Sequence, residues 1–236
     1  MIEKFVPRSM KVTALLPVKG FRNAKQRLSL LLSAAEREMV AEAMFRDVLE
    51  QVVRARGLAG TYVVTGDDRV ADIALSRGAK IVREPAENGE TAAVDFARSR
   101  LKEAGHEAVL IIPGDMPLVR AEDIERLLAQ VPEGAAAPFA LLVPSHDRMG
   151  TNALLLSPPD IIELRFGYDS FSYHMKQVSA QGLPIRFIEN DRIALDIDEP
   201  KDLEQLLAYD QGGEALRLAR RLLAGDAENR RRSGGL

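Results

Sequence analysis

Across 236 residues, 46% hydrophobic and 28% charged with a formal net charge of -3, there is material for one substantial core and no electrostatic case for nucleic acid as the main partner. Cysteine is absent, which excludes disulfides, thiolate metal sites and cysteine nucleophiles and fits a reducing cytoplasm. No apolar run approaches the roughly 18–20 residues that span a bilayer, and Met1 to Ser9 lacks the apolar centre of a secretory signal, so no membrane association is expected.

Met1 to Met10 reads as an extension ahead of the first strand, and residues 11–223 as one α/β domain. Val12-Thr-Ala-Leu-Leu16 is the kind of run found in a strand buried on both faces. After a polar, basic loop, Ser33-Ala-Ala-Glu36 has the spacing of a capping box. The helix it opens sets Met39, Val40, Ala43, Met44, Val48, Val52 and Val53 on one face, and Gly57 closes it. Thr61 to Thr65 is expected as a strand, Asp68 to Arg77 as a helix, Lys80 to Val82 as a strand and Thr91 to Glu103 as a helix. The strand from Ala108 to Ile112 then runs into Pro113-Gly114-Asp115. Such alternation predicts a mostly parallel sheet covered on both faces.

Gly134 to Pro138 reads as a loop. Strands are expected at Ala140 to Val143, Asn152 to Leu156, Ile185 to Ile188 and Ile193 to Leu195, with a helix from Ser170 to Gln181. A terminal helix starts near Glu199-Pro200, where proline is tolerated in the first turn. After Leu223 the hydrophobic period is lost, and residues 224–236, with Arg230, Arg231 and Arg232, read as a disordered tail.

Ligands of an open parallel sheet bind at the carboxyl ends of its strands, and three such ends carry polar chemistry. The first sets Lys19, Arg22, Lys25 and Arg27 in a loop where cations and amides can hold a triphosphate; a solvated basic loop is the plain alternative. The second, Pro113-Gly114-Asp115-Met116-Pro117, places a carboxylate beside a glycine that admits close ligand approach. That suits Mg²⁺ against phosphate oxygens, although Gly-Asp is also an ordinary tight turn. The third is Asp196-Ile197-Asp198. If the strand before it continues, both carboxylates share a face and approach a metal; otherwise Asp198 caps the next helix.

Two further clusters suit anions. Asp147 to Asn152 offers the Thr151 hydroxyl ahead of a strand, and Arg165 to Phe171 leads into a helix N-terminus, where Ser170 is either a ligand or an ordinary N-cap. No GxxxxGK[ST] or GxGxxG run exists, which excludes a P-loop and a dinucleotide fingerprint. The histidines have no metal-ligand spacing: His106 falls in a surface turn, His146 in a polar loop, and His174 one helical turn from Ser170.

In order, PVK…AKQRL, VVTGDD, ETAAVDFA, PGDMPL, GTNALLLSP, FGYDSFSYH and LDIDEPKDL resemble the guanylyltransferases of deazaflavin coenzyme F-420 biosynthesis. These are relatives of the molybdopterin guanylyltransferase-like NTP transferases, and the resemblance covers Lys11 to Leu207. PGD.P marks only the superfamily, whereas GTNAL followed by FG..SF..H is much more specific to the coenzyme branch.

The resemblance implies a three-layer Rossmann-like nucleotidyltransferase fold with a mostly parallel, mixed sheet. It implies GTP as co-substrate with Mg²⁺, and 2-phospho-L-lactate, phosphoenolpyruvate or 3-phospho-D-glycerate as acceptor, the last two favoured as central metabolites. It implies acceptor contacts at Thr151, Gly167 and Ser170, and metal binding at Asp115 with Asp196 and Asp198. Nucleotide contacts are implied at Leu16, Pro17, Val18, Lys19, Lys25, Gly66, Asp67, Pro113 and Gly114, with Glu90 and Thr91 facing the guanine or ribose. Similar enzymes often read GLNAAL where GETAAV stands here, a departure in the base-contacting segment.

Lys19, Lys25 and Asp115 are the expected catalytic set. An acceptor phosphate, with a second pKa near about 6, is already largely anionic at pH 7 and needs no general base. The rival readings are a cytidylyl- or molybdopterin-type transferase and a catalytically silent GTP-binding protein. Monomer and homodimer both fit.

Overall fold

A computed structural model describes residues 10–86, 88–131 and 138–233; residues 1–9 of the expected N-terminal extension and 134–137 of the expected loop lie outside these. The chain passes through β1 (Val12–Pro17), α1 (Ala34–Arg54), β2 (Leu58–Thr65), α2 (Asp68–Ser76), β3 (Lys80–Arg83), α3 (Glu90–Glu103) and β4 (Ala108–Ile111). It continues through α4 (Ala121–Leu128), β5 (Phe139–Pro144), β6 (Thr151–Ser157), α5 (Ser170–Ala180), α6 (Asp191–Ala194), α7 (Pro200–Leu207) and α8 (Glu214–Ser233).

The sheet order is β3-β2-β1-β4-β6-β5, parallel from β3 through β4, with β6 antiparallel to both its neighbours. Alternation along the strands builds two cores. Ala14 and Leu16 of β1, Leu110 of β4 and Leu155 of β6 face the layer of α1, α4, α7 and α8. Leu15, Val109, Ile111 and Leu154 face the layer of α3 and α5. Both faces being covered, the strands read as continuous apolar runs.

The Ser33 capping box forms as expected: Ser33 N–H donates to Glu36 Oε2 at 2.7 Å, and Ser33 Oγ accepts from Glu36 N–H. Met39 and Val53 are exposed, so the buried stripe of α1 is narrower than expected. Ile185 to Ile188 is not a strand. It makes one bridge, Leu142 with Phe187, at the outer edge of β5, and Ile185 and Phe187 remain exposed. Ile193 to Leu195 is not a strand either; its first residues belong to α6, capped by the Asn190 side chain. The C-terminal region is two helices, and α8 runs past Leu223 to Ser233. The end of the apolar period does not end the helix, because Ala, Glu and Arg are good helix formers. No helix among the described residues is long and apolar enough to cross a membrane.

An element not anticipated, α4, carries a fully buried carboxylate, Asp123. Arg192 Nε donates to it at 2.7 Å and Asn190 Nδ2 at 2.9 Å, which ties the segment before α6 to the core. Burial alone would raise the Asp123 carboxyl; the bonds from Arg192, Asn190 and the Arg120 amide outweigh it and hold it low. Asp123→Ala is expected to lower unfolding free energy by on the order of 3 kcal/mol, because Arg192 and Asn190 lose a buried partner. Urea denaturation measures this directly.

Candidate active site

Strand direction decides which residues meet. β1, β2 and β4 are parallel, so the segments after Pro17, Thr65 and Ile111 open on one edge. β6 runs the other way, and it is the start of that strand, Thr151, that arrives there. The sheet order turns at β1, between β2 and β4, and a crevice opens at such a switch point.

Two cavities occupy this edge. The larger, about 850 Å³, is lined by the β1 loop from Pro17 to Lys25, Asp67, Glu84, Pro113 and Gly114. The smaller, about 470 Å³, is lined by Ser145, Thr151, Asn152, Gly167, Ser170 and Asp196. Glu90, Pro113, Asp115 and Asp198 line both, and so form the joint between them.

At that joint Lys25 Nζ donates to Asp115 Oδ2 at 2.8 Å and to Asp198 Oδ1 at 2.7 Å. The loop reaches this position through left-handed backbone at Asn23 (φ 59°) and Lys25 (φ 51°). That conformation is uncommon for a long side chain and costs energy that the ion pairs offset. Burial would lower the Lys25 ammonium, but Asp115 and Asp198 outweigh it and raise it, so it is a cation throughout the neutral range. Gly114 allows the β4 turn to lie against the first helix, since a Cβ there would meet Phe45 and Val18 at 3.2 Å.

Asp198 does not cap α7. Glu199 is the N-cap, and Asp202 accepts from the Asp198 and Glu199 amides at 3.1 and 2.8 Å, leaving the Asp198 carboxylate for Lys25. The Asp196 to Asp198 segment is held to the β4 turn by Ile197 N–H donating to the Asp115 carbonyl at 3.1 Å. Asp196 accepts from Asn152 Nδ2 at 2.9 Å. Burial, then the charge of Asp115, pushes the Asp196 carboxyl up to about 6.

Among the described residues no three His, Cys, Asp or Glu side chains gather as a metal cage, so Asp115, Asp196 and Asp198 are not one ligand cluster. Two carboxylates do converge, on the point Lys25 Nζ occupies. That donor set fits Mg²⁺, which takes one or two carboxylates when phosphates and water supply the rest.

Glu90 begins α3 at the joint, and burial followed by Asp115 pushes its carboxyl up to about 7. Lys19, exposed at the rim, opposes that rise. Because Glu90 holds its proton more tightly folded than unfolded, its contribution to stability is complete below pH 4.5 and lost as pH rises through about 7. Glu90→Gln is therefore expected to be more stable than the wild type at pH 8 by on the order of 2 kcal/mol, with no gain at pH 4. Thermal melts at the two pH values test this.

Other expected residues fall at varied depths. Asp67 lines the larger cavity while capping α2 through Val70 N–H at 2.9 Å. Leu16 lies in the core behind it, and the Gly66 carbonyl accepts from Arg83 at 3.2 Å. The Thr91 hydroxyl accepts from Phe166 N–H at 3.0 Å, tethering the loop that carries Gly167. Ser170 is not the N-cap, a position held by Asp169; its Oγ accepts from Thr151 N–H at 3.0 Å. His106, expected in a surface turn, places its Nδ1 2.7 Å from the Thr13 hydroxyl of β1. Two contacts have no local signal in the chain: Gly20 lies against Asp67, where a Cβ would meet Asp67 Oδ2 at 2.6 Å, and the Asn152 amide holds Asp196.

This sheet with a basic loop on its first strand and a carboxylate after its fourth is the architecture of a nucleotidyltransferase. It is similar to a solved Desulfovibrio desulfuricans structure assigned as a nucleotide-diphospho-sugar transferase, with TM-score 0.74 at 17% identity over 92% of this chain and 98% of that one. That likeness speaks for the fold. The chain matches the family "Guanylyl transferase CofC like" over residues 12–232, and it belongs to that family. It is 36% identical to the phosphoenolpyruvate guanylyltransferase of Conexibacter woesei, over 87% of this chain and 93% of the relative. It is 33% identical to the 2-phospho-L-lactate guanylyltransferase of Methanothermobacter thermautotrophicus, over 90% and 92%. It is also 33% identical to the 3-phospho-D-glycerate guanylyltransferase of Phenylobacterium zucineum, over 80% and 86%. The chain is thus a guanylyltransferase in its catalytic class.

Proposed function

We propose that this chain moves GMP from GTP onto the phosphate of a small phosphorylated three-carbon acid, in the cytoplasm, as a step in deazaflavin coenzyme F-420 biosynthesis. The acceptor is phosphoenolpyruvate, 3-phospho-D-glycerate or 2-phospho-L-lactate. The observation that carries the reading is the meeting of a basic-walled cavity and a hydroxyl-lined cavity at Asp115, Asp198 and Glu90. GTP fits the first and the acceptor the second, so that the acceptor phosphate faces the α-phosphorus across the joint.

An acceptor phosphate oxygen attacks the α-phosphorus, the bond to the bridging oxygen of the β-phosphate breaks, and its electron pair leaves with pyrophosphate. The nucleophile is already an anion near neutrality, so the chain supplies alignment and charge. Lys19 and Lys25 offset negative charge on the departing pyrophosphate. Asp115 and Asp198 would hold Mg²⁺, which neutralises phosphate oxygens when bound. Thr151, Gly167 and Ser170 orient the acid end of the acceptor.

The test is a grid of four NTPs against the three acceptors, reading pyrophosphate release and product mass. GTP with at least one of these acids is expected to give a guanylyl diphosphate-linked product. Turnover with CTP and none with GTP would point to the cytidylyl-type alternative, and GTP binding without release for every acceptor to a silent binding protein.

A further inference from the structure

The smaller cavity has a wall held from behind by one residue that does not touch it. His174, in the first turns of α5, is completely buried. Both ring nitrogens are engaged. Nε2 lies 3.1 Å from the Arg165 amide, which can only donate, so Nε2 accepts and carries no proton. A neutral ring then has its proton on Nδ1, 2.9 Å from Thr151 Oγ1, and donates there. Burial, with Arg165 and Arg98 nearby, keeps the ring neutral, its pKa lowered to about 4. Phe166 and Tyr173 pack edgewise on it, which fixes the ring plane.

Once Thr151 Oγ accepts from His174, its own proton is left for a ligand. The neighbouring hydroxyl is set the same way, because Ser170 Oγ accepts the Thr151 amide proton. Two hydroxyls that line one cavity are thereby both turned into donors, an arrangement that favours an anion over a neutral group. We infer that His174 is the positioning residue of the acceptor site, holding Thr151 as a hydrogen-bond donor to the carboxylate of the incoming acid and the Arg165 end of the Gly167 loop in register with it. This rests on the placement of the acceptor under the proposed function.

His174→Phe removes both bonds, and His174→Asn restores only an N–H near the Nδ1 position. The full-length His174→Phe enzyme is expected to raise KM for the acceptor roughly 10–100-fold, the usual worth of a bond to a charged group. Its Kd for GTP, measured without acceptor, is expected to stay within threefold of the wild type, and His174→Asn to recover part of the loss. Thr151→Val should raise the acceptor KM similarly, and the double variant no further, since both remove the same donor. Equal weakening of GTP and acceptor, or additive losses, would show a merely structural histidine and overturn the inference. Nitrogen NMR of wild-type His174 decides the matter even if the variants fail to fold: a proton on Nδ1 is expected, and one on Nε2 would overturn it. Failure of the wild type to transfer GMP to any of the three acids would instead sink the proposed function.

Discussion

Asp115→Asn is expected to lower kcat by about 10²–10³, the size of effect seen when one preorganised electrostatic group is removed from a transition state. The substitution is nearly isosteric, and the backbone bond from Ile197 to the Asp115 carbonyl does not involve the side chain. The fold should survive, with a melting temperature within a few degrees of the wild type. What is lost is one of the two anionic arms at the joint, so the Mg²⁺ concentration giving half-maximal rate should rise along with the fall in kcat. Steady-state rates at saturating GTP and acceptor, across a Mg²⁺ titration, separate the two effects. Near-full turnover at saturating Mg²⁺ would remove Asp115 from the catalytic set.

The joint explains why residue types were readable from the chain and their relations were not. A basic loop after one apolar run and a carboxylate after another are local features, and both stand where expected. Their meeting is not local: Lys25 bonds Asp115 across 90 positions and Asp198 across 173. The reversed strand β6 is the device that brings Thr151 to the same edge, and a short apolar run carries no mark of its direction. Similar ambiguity explains Ile185 to Ile188 and Ile193 to Leu195, where brief apolar stretches fit a strand, a bridge or one helical turn equally well. The helix α4 carries no local mark because Arg120, its N-cap, is not a capping residue by type, and because Asp123 in its first turn looks like an ordinary exposed acid although it is buried. Asp198 and Ser170 were each readable as helix caps; in both cases the neighbouring residue, Glu199 or Asp169, takes the cap position and leaves the side chain for the site.

Lys25→Met is the sharper test of how the joint works, because it separates two roles of one ammonium. In the structure that group is shared by Asp115 and Asp198, at the point where a divalent cation would also sit. Removing it leaves two carboxylates without their cation while keeping a side chain of similar length. Turnover is expected to fall by about 10²–10³, since charge on the leaving pyrophosphate loses its partner. Yet Mg²⁺ should bind the nucleotide-free variant more tightly than the wild type, and should raise the melting temperature of the variant more, because binding to the native state stabilises it. The pH dependence follows from the raised Lys25 pKa: its contribution to stability is complete below 10.5 and is lost only as pH rises above that. Lys25 itself stays charged from pH 7 to 9, so the stability difference between Lys25→Met and the wild type should change there only through Glu90, whose carboxyl Lys25 helps to hold down. It should widen as pH rises from 7 to 9, by differential scanning calorimetry without metal. Calorimetric titration of Mg²⁺ into both proteins then gives the decisive reading. Equal, negligible binding in the two would mean that Asp115 and Asp198 are a structural anchor for the β1 loop and not a cation site.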